Sequence, residues 1–503
     1  MWPPGSYRNW EAADVFPILS VTLATLVLGT VLTFASGRSA RYVALGTSIL
    51  FLFEIAAMFL GFGAWAGRSA SGVPLYNYTE SYSWISLYWL HINYTVGIDG
   101  ISLILILLTG FLQIATVVYS WNEPKRPNAW FGLVLLTCLG SFGVFIALDI
   151  LLFFLFWEAV LVPMFFIIGY WGGPNRRYAA IKFFIYTHVA SIVMLTGLLV
   201  LAFYSGASSF DFGSLFSAAQ GLSAVVQSFI FLALFFGFGV KFPIVPFHTW
   251  LPDAHVEAPT GGSVLLAGLL LKLGGYGLIR WAVEILPQGM SHLTPLLYVV
   301  AFASIIWGSL VSLAQRDLKR LVAYSSINHM GIVLLAIAVY SSLGLLAAVL
   351  LMFAHGVVSA LLFMASGSVH HTFGTRDIPT LGGITPASPT LATMIMIGSL
   401  ASLGLPALVS FPAEFSAFLA TWDAIGYWVL LPLIILVVTA AFYIWMMQRT
   451  LFGPPKGFSE RIHDLPWYEV AGMAILVALI VLYGIMPGLL VNVISNSPVY
   501  GFP

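Results

Sequence analysis

Apolar runs of nearly constant length, parted by short polar joints, set the pattern of this chain. Fourteen of them fall at roughly 13–35, 42–65, 99–120, 129–149, 151–171, 180–204, 224–247, 260–283, 293–314, 320–340, 344–370, 387–410, 427–450 and 468–491. About 20 residues of helix cross a hydrocarbon core about 30 Å thick. Lipid offers no partner to an unpaired backbone group, so helix is the form these runs take. The stretch from Val15 to Ala35 is too long for the apolar centre of a signal peptide and has no basic segment before it. It reads as a first span. A short piece from Phe411 to Trp422 continues the twelfth run after a break. The pattern predicts an all-α integral membrane protein with about 14 transmembrane helices.

The polar joints orient these spans. Of 19 basic residues, 14 fall on one side: Arg38, Arg41, Lys125, Arg126, Arg176, Arg177, Lys182, Arg316, Lys319, Arg320, Arg376, Arg449, Lys456 and Arg461. The other side holds Arg8, Arg68 and Arg280. Cytoplasmic loops carry the excess of Lys and Arg, so the loops after odd-numbered spans are expected inside and both termini outside. Lys182, close to Arg176 and Arg177, is expected to snorkel at the inner face. No long hydrophilic stretch interrupts the runs, so residues 1–503 are expected to form one membrane domain.

Composition agrees. Hydrophobic residues make up 60% of the 503 and charged ones 8%, where a soluble chain carries about a quarter. Most of the surface must therefore face lipid. The formal net charge is zero, which gives no electrostatic case for nucleic acid. The single cysteine, Cys138, excludes internal disulfides, a cysteine-ligated iron–sulfur cluster and a covalent haem site. The Gly261-Gly262 and Gly274-Gly275 pairs follow no strand, so they read as close helix packing and not as a nucleotide loop.

Charges inside spans are the candidate chemistry. One at the bilayer centre costs about 2.5–3.5 kcal/mol on insertion scales, so such residues are by default functional. Glu158 lies in span five, Lys241 in span seven, Lys272 in span eight and Glu414 in span twelve, with His248, His329 and His355 alongside. Glu54 in span two is a further candidate. His188 reads as a satisfied core histidine, and His370 and His371 as interfacial. Asp99 with Ser102 reads as a helix cap, and Asp317 as a helix start. Two unit charges about 5 Å apart attract by about 3 kcal/mol at an effective dielectric of 20. A lysine beside a carboxylate therefore keeps its proton, and one left alone in an apolar site gives it up. Lysine, histidine and glutamate embedded in spans are the composition of a proton relay.

Two of these spans are broken. Lys241-Phe-Pro-Ile-Val-Pro-Phe-His248 places two prolines within span seven, and Leu405-Pro406 and Phe411-Pro412 interrupt span twelve just before Glu414. Proline removes a backbone donor and breaks a helix, and irregular backbone at membrane depth survives only within protein or beside water. Breaks five spans apart predict two inverted five-helix repeats, spans 4–8 (129–283) and 9–13 (293–452). Three helices precede them (1–120) and one follows (468–491). Interrupted helices at matching positions point to a transport path.

The stretch Lys241-Phe-Pro-Ile-Val-Pro-Phe-His-Thr-Trp-Leu-Pro-Asp-Ala-His-Val-Glu-Ala-Pro-Thr260 resembles the antiporter-like membrane subunits of respiratory complex I. Trp157-Glu158 with Val162-Pro163, Lys182-Phe-Phe-Ile-Tyr-Thr-His188 and Tyr324-Ser-Ser-Ile-Asn-His-Met-Gly331 are similar to the subunit M type, also called chain 4, of NADH:quinone oxidoreductase. The resemblance runs from about Asn93 to Phe452. It implies 14 helices with inverted repeats. It also implies a relay in which Glu158 partners Lys241, Lys272 sits at the centre, His248, His329 and His355 lie along a hydrated axis, and Glu414 occupies the broken twelfth helix. Sister subunits typically carry lysine at that last position. Leu408 to Phe415 departs from the family, whose members usually have glycines there.

The resemblance further implies no cofactor or metal in this chain. FMN, iron–sulfur clusters and quinone would sit in partner subunits, and sister subunits of the L and N type would adjoin this one in the bilayer. The electron donor could be NADH, ferredoxin or a reduced deazaflavin. An Mrp-type cation/proton antiporter subunit and a membrane subunit of an energy-converting hydrogenase would use the same buried residues. Lysine and histidine carry protons and ligate no Na⁺, which favours H⁺ as the ion.

Overall fold

Helices follow the apolar runs. The computed structural model describes residues 16–62, 73–87, 90–123, 125–454, 456 and 464–497. Arg8, Arg68 and Arg461, which entered the charge asymmetry, lie outside the described residues. Helices α1 (Ile18–Ala35) and α2 (Ala40–Leu60) lead into a hairpin of β1 (Asn77–Leu87) and β2 (Leu90–Ile98), and α3 (Gly100–Tyr119) follows. Next come α4 (Pro127–Ile146), α5 (Ile150–Ala159), α6 (Leu161–Trp171), α7 (Arg176–Ser205), the short α8 (Phe212–Ala219), α9 (Ala224–Lys241) and α10 (Trp250–Glu257). The remainder comprises α11 (Thr260–Val283), α12 (Pro287–Leu313), α13 (Leu318–Ala338), α14 (Ser342–Phe373), α15 (Pro389–Ser402), α16 (Ser410–Ile425), α17 (Leu430–Thr450), α18 (Trp467–Ile485) and α19 (Gly488–Ile494).

Among the described residues, 13 helical segments are long and apolar enough to cross a membrane, with α16 and α17 taken as one. Separating those two, and joining α15 to α16 across their break, gives the 14 spans read from the sequence. Span five is also divided, at Val160 between α5 and α6.

Among the described residues, the hairpin is the one pair of strands in an otherwise helical chain. Its strands are antiparallel, with Tyr82 opposite Tyr94, and they are rich in the Tyr, Thr, Ile and Trp that favour a pleated surface. Glu80 explains why it is held. Helix α1 has no side-chain cap of its own, and the buried Glu80 carboxylate accepts from the Leu19 N–H at 3.0 Å, the Ser20 N–H at 3.3 Å and the Ser20 hydroxyl. The orphan donors of the first turn are thus satisfied from outside the helix.

Burial runs from the centre outward. Helix α11 is buried along its whole length, and α13 and α14 nearly so. The outer helices turn large apolar side chains away from the protein: Ile181, Ile185 and Ile192 on α7, Val299 and Leu310 on α12, Ile434 and Val437 on α17. This is the surface of a chain whose solvent is lipid or a neighbouring membrane subunit.

One backbone stitch occurs twice. The Ile150 N–H donates to Phe210 O and the Phe212 N–H to Leu148 O, pairing Asp149 with Asp211. The Leu318 N–H donates to Arg376 O and the Ile378 N–H to Arg316 O, pairing Asp317 with Asp377. Asp149 caps α5 through the Leu151 and Leu152 N–H groups, and Asp317 caps α13 through the Arg320 N–H at 2.9 Å. The two stitches begin spans five apart, so they lie on opposite faces of the bundle. Asp317→Ala is expected to cost about 0.5–2 kcal/mol through loss of the cap, read as a lower melting temperature of the purified protein in detergent.

Candidate functional site

Span seven breaks where the prolines predict. Helix α9 ends at Lys241 and α10 begins at Trp250. The freed backbone groups find side chains: the Val245 N–H donates to Ser304 Oγ at 2.9 Å, and Trp250 Nε1 donates to Val240 O at 2.8 Å. His248 Nε2 accepts from Trp307 Nε1 at 3.0 Å, which ties the break to α12.

The expected pairing of Glu158 with Lys241 takes a different form. Lys241 is buried, its Nζ 3.7 Å from the centre of the Trp157 ring and donating to Trp157 O at 3.2 Å. Glu158 Oε2 instead meets His188 Nδ1 on α7 at 2.9 Å. Successive helix residues project about 100° apart, so Trp157 faces the core and Glu158 the flank. His188 is therefore not the satisfied core histidine expected; it partners the span-five carboxylate. Lys182 also finds a carboxylate: its Nζ lies 2.7 Å from Asp253 Oδ2 and bonds α7 to α10.

The second half is contiguous. Lys272 is fully buried, and its Nζ donates to Ala267 O at 2.6 Å and meets His355 Nδ1 at 2.6 Å. Residues Leu266–Leu270 just before it form a π-turn, the irregularity often found at functional sites. The rings of His355 and His329 lie 5.5 Å apart. His329 Nδ1 meets Ser325 O at 2.7 Å, and its Nε2 faces Ser402 O at 3.2 Å and Glu414 Oε1 at 3.7 Å. A cavity of about 10 Å³ lies here, lined by Ser325, His329, His355, Ser359, Ser402 and Tyr443 among others. That volume and lining suit one water molecule.

Glu414 sits in α16, past a break that spans residues 403–409. Pro412 was expected to interrupt the span. It lies instead in the first turn of α16, where a missing N–H costs nothing. Gly404 makes room for the carboxylate: its φ is +68°, and a Cβ there would strike Glu414 Oε2. Gly404→Ala is expected to displace Glu414 and strain the turn, lowering proton translocation at least tenfold in the assembled complex, measured as dye-reported proton uptake by membrane vesicles.

A vestibule of about 690 Å³ opens on the face that carries Lys125 and Arg376. Glu257, Lys319, His370, His371 and Glu469 line it. Burial holds the Glu123 carboxyl on its rim above the ordinary value, against the opposing pull of the Lys125 N–H and charge. His370 and His371 end α14 as expected, and His371 Nδ1 meets the buried Glu469 at 3.1 Å. The sequence reading missed Glu469, in the first turn of the last span, and His255, which stood unremarked inside the longest motif. Glu54, the extra candidate, accepts from the Thr25 hydroxyl at 2.7 Å. Among the described residues no group of three or more His, Cys, Asp or Glu side chains is placed to hold a metal ion.

A bundle with broken helices and a buried lysine–histidine–glutamate chain defines a polytopic, antiporter-like membrane protein. The family described as NADH:quinone oxidoreductase/Mrp antiporter, TM, matches residues 147–442, and the chain belongs to that family. It is 39% identical to the F(420)H(2) dehydrogenase subunit M of Methanosarcina mazei over 492 residues, 96% of this chain and 97% of that protein. It is 37% identical to NADH-quinone oxidoreductase subunit M of Rhodobacter capsulatus over 473 residues, 92% and 90% of the two. A chain of respiratory complex I from Thermus thermophilus with bound NADH superposes with a TM-score of 0.83 at 27% identity, covering 96% of this chain and 100% of that one. A chain of the Mrp complex from Dietzia shares the fold, with a TM-score of 0.83 at 19% identity.

Proposed function

We propose that this chain is a proton-translocating membrane subunit of a complex I-type oxidoreductase that passes electrons from NADH, reduced deazaflavin or ferredoxin to a quinone. The observation that carries this reading is the buried run Lys272–His355–His329–Glu414, in which each member is within contact or one water of the next. The Lys272 ammonium passes its proton to the lone pair of His355 Nδ1. The water-sized cavity bridges the two imidazoles, and His329 Nε2 hands the proton to Glu414. Lys241, Glu158 and His188 form the loading half: Glu158 exchanges partners between His188 and Lys241, and Lys241 gives up its proton whenever the carboxylate is turned away. His248 anchors the break between the halves.

FMN, iron–sulfur clusters and quinone belong to partner subunits, where they supply the electron transfer. The single thiol, Cys138, is buried in an apolar core and cannot by itself hold an iron–sulfur cluster. Subunits of the L and N type are the expected neighbours. The basic face is cytoplasmic and both termini are outside. Residues 129–283 and 293–452 are inverted repeats within one domain, between the N-terminal three helices (1–120) and the last span (468–491). The doubled stitch at Asp149 and Asp317 supports this symmetry. The identities of 39% and 37% to subunits of redox complexes favour this reading over an antiporter without electron transfer.

The test is to purify the native complex, identify its subunits by mass spectrometry and measure proton uptake. Glu158→Gln and Lys241→Ala are each expected to abolish redox-driven proton uptake in vesicles. Full uptake in either variant, or a complex without iron–sulfur subunits, would overturn the assignment.

A further inference from the structure

The relay just described needs an inlet, and one buried residue outside it lies where an inlet would run. His255 on α10 is fully buried, and neither ring nitrogen has a hydrogen-bond partner among the described residues. A buried donor and acceptor left unmet are each destabilising, so an imidazole here is a costly way to fill space. Its ring stacks on Phe363 of α14, with centroids 4.4 Å apart and planes within 7°.

Two helices fix the level of this ring. Along α14, Phe363 lies eight residues beyond His355, and His371 eight residues beyond Phe363. At 1.5 Å per residue these steps are about 12 Å each. His371 lines the vestibule, and His355 holds Lys272. On α11, Ser263 Oγ donates to His255 O at 3.1 Å, nine residues before Lys272. His255 thus lies at a level between the vestibule and the Lys272–His355 pair. On the vestibule side, Val256, Glu257 and Ala258, the residues that follow His255, line the cavity, and the buried Lys319 donates to Ala258 O.

We propose that protons enter the relay from the vestibule through Lys319 and His255, and that His255 is a proton-carrying residue delivering them to the Lys272–His355 pair. Lys319, at the vestibule floor, passes a proton to the bare nitrogen of the neutral His255 ring. The opposite nitrogen releases its own proton toward Lys272, and the ring returns to its first tautomer, so the step conserves charge and atoms. The stack on Phe363 holds the ring at its level while it exchanges protons.

This inference rests on the proton-translocating reading, and the test separates the two. Vesicles of the whole complex, driven by whichever of F420H2 or NADH it oxidises, are assayed for protons taken up per electron in three variants. Lys272→Met reports on the reading itself, and wild-type uptake there would overturn both. His255→Phe preserves a ring on Phe363 and removes the nitrogens; His255→Gln preserves polarity and removes the exchangeable ring. Both are expected to lower proton uptake at least tenfold, with Lys272→Met inactive. If His255→Phe is harmless, the histidine only packs and the inlet lies elsewhere. If one His255 variant fails to assemble, uptake in the other decides on the same terms.

Discussion

Lys272→Met is expected to stop proton translocation altogether while the complex remains assembled. Methionine nearly matches the length of the lysine stem and leaves no polar atom to satisfy in a site with no exposure. Burying an unpaired charge is costly, so removing this one is expected to leave the melting temperature unchanged or raised. The proton, however, would have no seat beside His355, since Nζ is the group that touches both Ala267 O and His355 Nδ1 at 2.6 Å. Proton uptake by vesicles, followed with a quenched acridine dye during electron transfer, is expected to fall at least a hundredfold. Uptake within a factor of two of the unsubstituted complex would remove Lys272 from the pathway.

The second large effect is on stability. Arg280→Ala is expected to cost about 3–5 kcal/mol, the range for breaking a buried ion pair from one side. Arg280 Nη2 lies 2.7 Å from Asp99 Oδ2, and its Nη1 lies 2.7 Å from Glu284 Oε2 and 3.2 Å from the Tyr76 hydroxyl. The three charged side chains are at most 1% exposed. Asp99 also caps α3 and accepts from Ser497 near the last helix. One guanidinium thus joins α11, the start of α3, the segment ahead of the hairpin and the C-terminal segment. The expected readout is a melting temperature lowered by several degrees or loss of this subunit during gentle detergent extraction, with Arg280→Lys recovering part of the loss. An unchanged melting temperature in Arg280→Ala would show that the network contributes nothing net.

Arg280 also shows what the sequence conceals. It stood among the loop cations of the outer face, three residues before the end of a predicted span. Nothing in a one-dimensional pattern places Asp99, 181 positions earlier, against it. Span number, the broken seventh and twelfth helices and the buried Lys272, His329, His355 and Glu414 were legible because each depends on local signals: run length, proline and charge within an apolar window. Partner choice was not legible. Whether Glu158 meets Lys241 or His188 depends on the azimuth of α5 about its own axis, which packing against α7 and α9 decides. The hairpin was missed because its alternation is short beside the neighbouring spans. His255 was missed because its role follows from the level at which α10 meets α14.

The π-turn at Leu266–Leu270 has a consequence for α11 as a mechanical part. A π-turn holds one residue more than an α-turn, and each residue turns the helix by about 100°. Smoothing Leu266–Leu270 into regular helix would therefore swing every side chain beyond it, Lys272 included, by about a quarter turn away from His355. A substitution chosen to regularise this helix would gain backbone order and uncouple the two halves of the machine at once. In this shaft, the flaw in the winding sets the timing.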